Sequence, residues 1–190
     1  MKTTGIMIVG VGGQGSLLAS KLLGNLLTAT GYDVKVSEVH GMSQRGGSVV
    51  TYVKFGDRVS SPIIDLGEAD YIISFEKLEA ARYAPYLKKG GRIVTNTQEI
   101  DPMPVITGAV DYPENILEQL TALGCRVDAV DALSLAEKAG SAKAVNIVLL
   151  GRLSKSFHID YDAWIKALEA TVKPKFIEMN KVAFDLGYHS

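Results

Sequence analysis

The residues that most clearly suggest a binding site form a glycine-rich turn near the start of the chain. Gly10, Gly12 and Gly15 have the spacing G-x-G-x-x-G; the apolar run 6–9 precedes them and a stretch with helical periodicity follows. Glycine here permits a tight turn and a close approach of backbone to a ligand, and amides at a helix start attract negative charge. The motif predicts a phosphate-binding turn made of Gly10, Gly12, Gly13, Gln14, Gly15 and Ser16.

A second anion-binding segment is predicted at residues 40–47, which read His-Gly-Met-Ser-Gln-Arg-Gly-Gly. Two glycines directly follow Arg45, so backbone amides and a guanidinium group can converge on one phosphate or carboxylate. Both glycine segments follow predicted strands, and we expect them at the carboxyl edge of the sheet beside Phe75, Glu76 and Asn96. The candidate residues of this segment are His40, Gly41, Gln44, Arg45, Gly46 and Gly47.

Each segment also has a structural interpretation. The glycine turn can serve only to pack a strand closely on a helix, and Arg45 can make a structural hydrogen bond. A dinucleotide would require an acidic residue at the end of the second strand, where only Glu38 is available, and it comes late. His40 has no neighbouring triad partner, and the three histidines lack metal-ligand spacing. The sequence therefore predicts no metal site and identifies no catalytic residue.

The elements that position these segments alternate between strands and helices. After the first strand and helix, strands are predicted at residues 32–37, 71–75, 92–95 and 126–130. Residues 49–55 and 58–60 flank Gly56-Asp57, which predicts a β-hairpin, and a helix is predicted over residues 76–88, ending at Lys88-Lys89-Gly90-Gly91. Five further helices are predicted at residues 113–123, 133–139, 144–156, 160–171 and 174–186.

Together these elements predict an α/β fold: a mainly parallel, Rossmann-like layered sheet with a β-hairpin insertion and a helical C-terminal third. The length of 190 residues fits one domain, which we place at residues 1–190.

Composition excludes several classes of function. Twenty basic residues against 21 acidic ones leave a net charge of −1, which argues against nucleic-acid binding. No apolar run is long enough to cross a membrane, and the short apolar start has no cleavage signature, so we expect a cytoplasmic protein. The single cysteine, Cys125, excludes an intrachain disulfide, a four-cysteine zinc site and all-thiolate ligation of an iron–sulfur cluster.

The glycine segments and their surroundings resemble the gamma-type domain of the 2-oxoacid:ferredoxin oxidoreductases. The resemblance covers most of the chain and is strongest up to about Asn96. Within the family, the His-Gly-Met-Ser-Gln-Arg-Gly-Gly form is similar to members that act on arylpyruvates such as indolepyruvate. The residues that carry the resemblance are GVGGQG at 10–15, GYDV at 31–34, SEVHGMSQRGGSVV at 37–50 and ADYIISFE at 69–76.

This resemblance implies a subunit of an enzyme that decarboxylates arylpyruvates oxidatively, with coenzyme A as acyl acceptor and ferredoxin as electron acceptor. Thiamine diphosphate and iron–sulfur clusters would belong to a large alpha subunit, and this chain would bind no cofactor firmly. The two glycine segments would contact coenzyme A phosphates or seal the subunit interface, and the isolated chain could form a homodimer. A subunit acting on pyruvate, branched 2-oxoacids or 2-oxoglutarate, or a stand-alone dinucleotide-binding protein, are the alternatives.

Overall fold

The computed structural model describes residues 3–38 and 46–190. The strands in this part of the chain are β1 (Thr3–Val11), β2 (Asp33–Glu38), β3 (Ser48–Gly56), β4 (Ala69–Ser74), β5 (Leu87–Asn96) and β6 (Arg126–Val130). The helices are α1 (Ser16–Ala29), α2 (Lys77–Tyr83), α3 (Met103–Ile106), α4 (Ile116–Ala122), α5 (Ala132–Lys138), α6 (Val145–Ser154), α7 (Tyr161–Thr171) and α8 (Ile177–His189).

The six strands form one sheet in the order β2-β3-β1-β4-β5-β6. Strands β1, β4, β5 and β6 pair in parallel, while β3 is antiparallel to both of its neighbours, β1 and β2. Strand β3 therefore runs opposite to the other five strands. The predicted α/β fold with a mainly parallel sheet is confirmed.

The predicted hairpin between residues 49–55 and 58–60 is wrong in its location. Residues 49–55 lie in β3, which pairs along its full length with β1 and also with β2. Residues 58–60 form no strand, and the Val59 amide donates instead to the Asp33 carboxylate at 2.7 Å. The sequence predicted an antiparallel partner that follows β3 in the chain. The partner is instead β2, which precedes β3 and pairs with the edge of β3 that faces away from β1.

The helix predicted over residues 76–88 is too long. Helix α2 ends at Tyr83, a 3-10 turn covers Ala84–Tyr86, and Lys88 to Gly91 belong to β5. Pro85 explains the early end, since it lacks an amide hydrogen and its ring collides with the preceding helical turn. The two glycines that suggested a helix terminus lie in a strand that pairs with β4.

The core has one layer of helices on each face of the sheet. Alternation along β1 sends Ile6 and Ile8 to one face and Met7 and Val9 to the other. Buried residues of α1 and of the C-terminal helices cover the first face, which includes Trp164, the only tryptophan of the chain. Helices α2 and α4 cover the second face.

The C-terminal helices pack closely through glycine, and the predicted helical C-terminal third is confirmed. A Cβ atom on Gly187 of α8 would lie 1.9 Å from the Val148 carbonyl oxygen of α6, and one on Gly151 would lie 2.1 Å from the Phe184 carbonyl oxygen. Only glycine leaves room for this backbone contact. None of the helices within residues 3–38 and 46–190 has the length and apolar character needed to cross a membrane.

Candidate functional site

The predicted glycine turn connects β1 to α1 at the carboxyl edge of the sheet, and the side chain of Gln14 holds it in shape. Gln14 Oε1 accepts a hydrogen bond from the Val11 amide at 2.7 Å, and its Nε2 donates to the Phe75 carbonyl oxygen at 3.2 Å. A Cβ on Gly10 would lie 2.7 Å from Gln14 Oε1 and 3.0 Å from Phe75. Glycine at position 10 therefore makes room for the amide that links β1 to the end of β4.

Gly15 caps the start of α1 and is fixed from the C-terminal part of the chain. Its φ is +89°, in the left-handed region that favours glycine. The buried Asn146 side chain donates from Nδ2 to the Gly15 carbonyl oxygen at 3.0 Å, and a Cβ on Gly15 would lie 2.6 Å from that nitrogen. Gly13 also has a positive φ, +101°, but a Cβ there would meet nothing within 4 Å.

The two predicted glycine segments meet in the structure. The Gly12 amide donates to the Gly47 carbonyl oxygen at 2.8 Å, so the first turn is tied to the residues that lead into β3. Gly46 has φ +97°. Of the other candidates in that segment, His40, Gly41, Gln44 and Arg45 lie outside the described residues.

A cavity of about 300 Å³ opens beside this junction. The start of α1 forms one wall through Ser16 and Leu17. The last residue of β2 and residues near the start of β3 form the other wall. Gly12, Gly13 and Gly15 line the remainder, so the glycine turn and the start of a helix border a space large enough for a phosphate group. Of the predicted phosphate-binding turn, Gly12, Gly13, Gly15 and Ser16 line this cavity, whereas Gly10 and Gln14 do not.

The position of Glu38 argues against dinucleotide binding. Glu38 ends β2 and lines the cavity, and it accepts a hydrogen bond from Ser20 Oγ at 2.8 Å. Strand β3 lies between β1 and β2, which moves Glu38 two strand spacings, about 10 Å, from the strand that carries the glycine turn. In the dinucleotide-binding arrangement the ribose-binding acid follows the strand next to the glycine turn.

On the other side of the turn, a cavity of about 210 Å³ contains two buried carboxylates, Glu76 and Glu79. Glu76 caps α2 by accepting from the Glu79 amide at 2.9 Å, and it also accepts hydrogen bonds from the Ile100 amide and the Tyr112 hydroxyl. Burial and the neighbouring Glu76 raise the pKa of Tyr112 well above its usual value, so this phenol stays a hydrogen-bond donor. Glu76 is confirmed as a helix-initiating acid.

Glu79 links the second glycine segment to α2. Its carboxylate accepts hydrogen bonds from Ser48 Oγ, the residue after Gly47, and from Arg82 Nε at 3.1 Å. Asn96, predicted at the same edge, is fully buried. Its side chain donates a hydrogen bond to the Phe75 carbonyl oxygen and accepts one from the Ala132 amide. Both residues position backbone around the site.

The sequence contains a single thiol group. Its one cysteine, Cys125, is half-buried just before β6. In the part of the chain that the structure describes, no group of three or more His, Cys, Asp and Glu side chains is placed to hold a metal ion.

Sequence reasoning missed Asn146, Glu79 and Tyr112 as parts of this site. Asn146 interrupts the apolar residues of α6, and a polar residue there is a signal of a buried hydrogen bond. Glu79 and Tyr112 give no such signal, because their partners lie 31 and 36 residues away in the chain.

The fold and this edge define an α/β protein in which a glycine turn joins the first strand to the first helix beside a cavity at the carboxyl edge of the sheet. The family model described as pyruvate ferredoxin/flavodoxin oxidoreductase matches residues 5–190, and the chain belongs to that family.

Relatives in sequence agree with this membership, and solved structures share the fold. The chain is 44% identical to "Indolepyruvate oxidoreductase subunit IorB" of Thermococcus kodakarensis, over 98% of this chain and 95% of that protein. The crystal structure of pyruvate oxidoreductase subunit PORC from Thermotoga maritima has a TM-score of 0.78 at 20% identity, over 100% of this chain and 97% of that one. A 2-oxoglutarate:ferredoxin oxidoreductase from Magnetococcus marinus, with 2-oxoglutarate, coenzyme A and succinyl-CoA bound, has a TM-score of 0.72 at 19% identity; the match covers 100% of this chain and 31% of that chain.

Proposed function

We propose that this chain is the small subunit of an indolepyruvate:ferredoxin oxidoreductase complex. The observation that carries the proposal is the 44% identity to an indolepyruvate oxidoreductase subunit over nearly the whole of both chains. The complex oxidatively decarboxylates arylpyruvates to aryl-acetyl-CoA and passes the electrons to ferredoxin. Thiamine diphosphate supplies the carbanion chemistry, and iron–sulfur clusters carry the electrons.

We place both cofactors on a large partner subunit. One cysteine cannot provide the thiolates of a cluster. In the solved structure from Magnetococcus marinus, this fold matches 31% of a longer chain, which supports the proposal that the domain works next to a larger catalytic body.

An exposed apolar surface near the carboxyl edge supports docking of that partner. Met103 and Ile106 of α3 are 65% and 64% exposed, and Val110 beyond α3 is 57% exposed. Met103 also lines the cavity with Glu76 and Glu79, so this surface is continuous with the site. Clustered exposed apolar side chains mark protein interfaces. We expect Met103→Ser/Ile106→Ser to weaken assembly, while Leu123→Ser, at a still more exposed apolar residue that does not line that cavity, leaves assembly unchanged.

For this chain's own part in the reaction, we propose that the glycine turn and Arg45-Gly46-Gly47 hold phosphates of coenzyme A or close the active centre at the subunit interface. The bond between Gly12 and Gly47 supports a single site, because it fixes the two segments side by side. The helix-start amides of α1 add favourable electrostatics for an anion. The assignment of individual residues to coenzyme A stays a prediction.

Kinetics of the reconstituted complex test this role. Arg45→Ala should raise the KM for coenzyme A by about tenfold or more, since a charge-assisted hydrogen bond contributes roughly 1.5–3 kcal/mol. The matched control is Arg58→Ala, at an exposed arginine that lines neither carboxyl-edge cavity. Unchanged turnover and unchanged coenzyme A dependence in Arg45→Ala would remove this arginine from the site.

The substrate is tested separately with a panel of indolepyruvate, pyruvate, a branched 2-oxoacid and 2-oxoglutarate. The proposal predicts the highest kcat/KM for indolepyruvate. Preference for any other member of the panel would assign the chain to a different complex of the same family.

A further inference from the structure

A cavity of about 780 Å³ lies at the amino edge of the sheet, on the opposite side of the molecule from the glycine turn. Four parallel strands contribute to its lining: Thr4 of β1, Asp70 of β4, Arg92 of β5 and Arg126 of β6. Residues 155–159, which follow α6, close one side. We call this space the amino-edge cleft; it shares no residue with either cavity at the carboxyl edge.

The amino-edge cleft is positively charged, although the chain as a whole carries a net charge of −1. Its charged lining contains five lysines and arginines against two aspartates, a local excess of three positive charges. The five are Lys88, Lys89, Arg92, Arg126 and Lys155, and the two are Asp57 and Asp70. A concave surface lined by one sign of charge concentrates ligands of the opposite sign.

Part of this charge is available to a ligand. Lys88 pairs with Asp70 at 3.1 Å, and Arg92 lies 3.9 Å from Asp128. Lys89 and Arg126 are exposed and form no ion pair or side-chain hydrogen bond within residues 3–38 and 46–190. Two cations without acidic partners can therefore bind an anion without first breaking an ion pair.

Aromatic side chains form the wall beside these cations. Phe157 stacks on Tyr71 with 5.0 Å between ring centroids and also contacts Phe55. Tyr32 packs its edge against Phe55 and remains 40% exposed. The cleft thus joins an aromatic wall to a cationic end.

The backbone of the cleft is held in an irregular form. The pairing of β4 with β5 shifts register between Ala69 and Tyr71, next to Gly90 with φ +82° and Gly91, whose Cβ would lie 2.9 Å from the Asp70 carbonyl oxygen. Such irregularities redirect side chains and occur often beside functional sites. Ser156 then fixes the lining: its hydroxyl accepts from Arg92 Nη1, and its carbonyl oxygen accepts from the Tyr71 hydroxyl, both at 3.2 Å.

We propose that the amino-edge cleft binds a nucleotide, with the base against the aromatic wall and two or more phosphates held by Lys89 and Arg126. The volume lies in the range of small-molecule sites, roughly 300–1,000 Å³. A ligand with both a planar ring and phosphates matches both parts of the lining. This site is independent of the proposed function, which uses the opposite edge.

Calorimetric titration of the full-length chain with ADP tests the site. The comparison probes are pyrophosphate, which lacks the base, and adenosine, which lacks the phosphates. We expect ADP to bind more tightly than either probe. Lys89→Ala/Arg126→Ala should weaken ADP binding by about tenfold or more, since two charge-assisted contacts are lost. The control Lys166→Ala/Lys173→Ala removes two exposed lysines that do not line the cleft and should leave ADP affinity unchanged.

A second measurement locates the ligand without relying on a variant. ADP should protect Lys89 of the unmodified chain from acetylation, as read by mass spectrometry, and should leave Lys166 unprotected. Because ADP is also part of coenzyme A, Arg45→Ala is included. ADP binding that is lost in Arg45→Ala but kept in Lys89→Ala/Arg126→Ala places the nucleotide at the carboxyl edge and overturns the proposal. The proposal is also overturned by absence of ADP binding, or by pyrophosphate binding as tightly as ADP.

Discussion

The contact between Gly15 and Asn146 gives a quantitative test of how the glycine turn is held. In Gly15→Ala, a φ of +89° imposes left-handed strain of about 1–2 kcal/mol on the new residue. The added Cβ would lie 2.6 Å from Asn146 Nδ2, so Asn146 must move and lose its hydrogen bond to the Gly15 carbonyl, about 1 kcal/mol more. The free energy of unfolding should therefore fall by about 2–3 kcal/mol.

Gly13→Ala is the matched control, because φ there is +101° but nothing lies within 4 Å of a new Cβ. It should cost only the strain, about 1–2 kcal/mol. Urea unfolding followed by fluorescence of Trp164, which is 1% exposed, measures both variants. In an Asn146→Ala background the cost of Gly15→Ala should fall to that of Gly13→Ala. Equal costs for the two glycine variants in the unmodified chain, or a cost of Gly15→Ala unaffected by Asn146→Ala, would refute the reasoning.

Two further predictions concern stability elsewhere in the fold. Asp131 caps α5 by accepting from the Ser134 amide at 3.1 Å, and hydrogen bonds from Ser134 lower the pKa of its carboxyl group; Asp131→Ala should cost about 1 kcal/mol near pH 7. Because folding lowers the pKa of the Asp131 carboxyl group, the stability difference between the unmodified chain and Asp131→Ala should be present above the unfolded pKa of about 3.9 and shrink as pH falls below it. The free energy of unfolding of Asp131→Asn, measured by urea titration at pH 6 and pH 3, should depend less on pH than that of the unmodified chain. Gly187→Ala should destabilise by about 3 kcal/mol because of the 1.9 Å approach to the Val148 carbonyl oxygen, whereas Gly24→Ala, inside α1 with its nearest contact at 3.8 Å, should stabilise by roughly 0.5–1 kcal/mol. Thermal melts that rank the two in the opposite order would contradict the packing of α6 on α8.

Much of the fold is predictable from local patterns in the sequence. The glycine turn between an apolar run and a periodic helix predicted β1, α1 and their connection, since the turn chemistry and the periodicity agree. The C-terminal helices were predicted for the same reason. The partner of the antiparallel strand β3 was predicted wrongly because strand pairing is a long-range property. Gly56-Asp57 has the residue types of a hairpin turn, but the chain leaves the sheet there instead of forming a second strand.

The glycines of the candidate site could be predicted from the sequence, but the side chains that hold them in place could be predicted less well. Positive φ and close approach leave a glycine signature in sequence, as at Gly10 and Gly15. The polar Asn146 among the apolar residues of α6 signals a buried hydrogen bond, but its partner Gly15 lies 131 positions away and no local pattern identifies it. Lys88 to Gly91 show the converse case: cations followed by glycine suggest a helix end, but Pro85 ends the helix earlier and the segment becomes the cationic rim of the amino-edge cleft.

We propose that this chain completes a complex whose reactive groups lie on a larger subunit, and add-back of the purified chain tests that dependence. The large subunit, purified alone, is titrated with this chain while indolepyruvate- and coenzyme A-dependent reduction of ferredoxin is recorded. We expect little reduction by either chain alone and activity that rises to a plateau at a fixed stoichiometry. Turnover of a 2-oxoacid by this chain alone, or full activity of the large subunit without it, would show that the chain does not depend on a partner for its reactive groups.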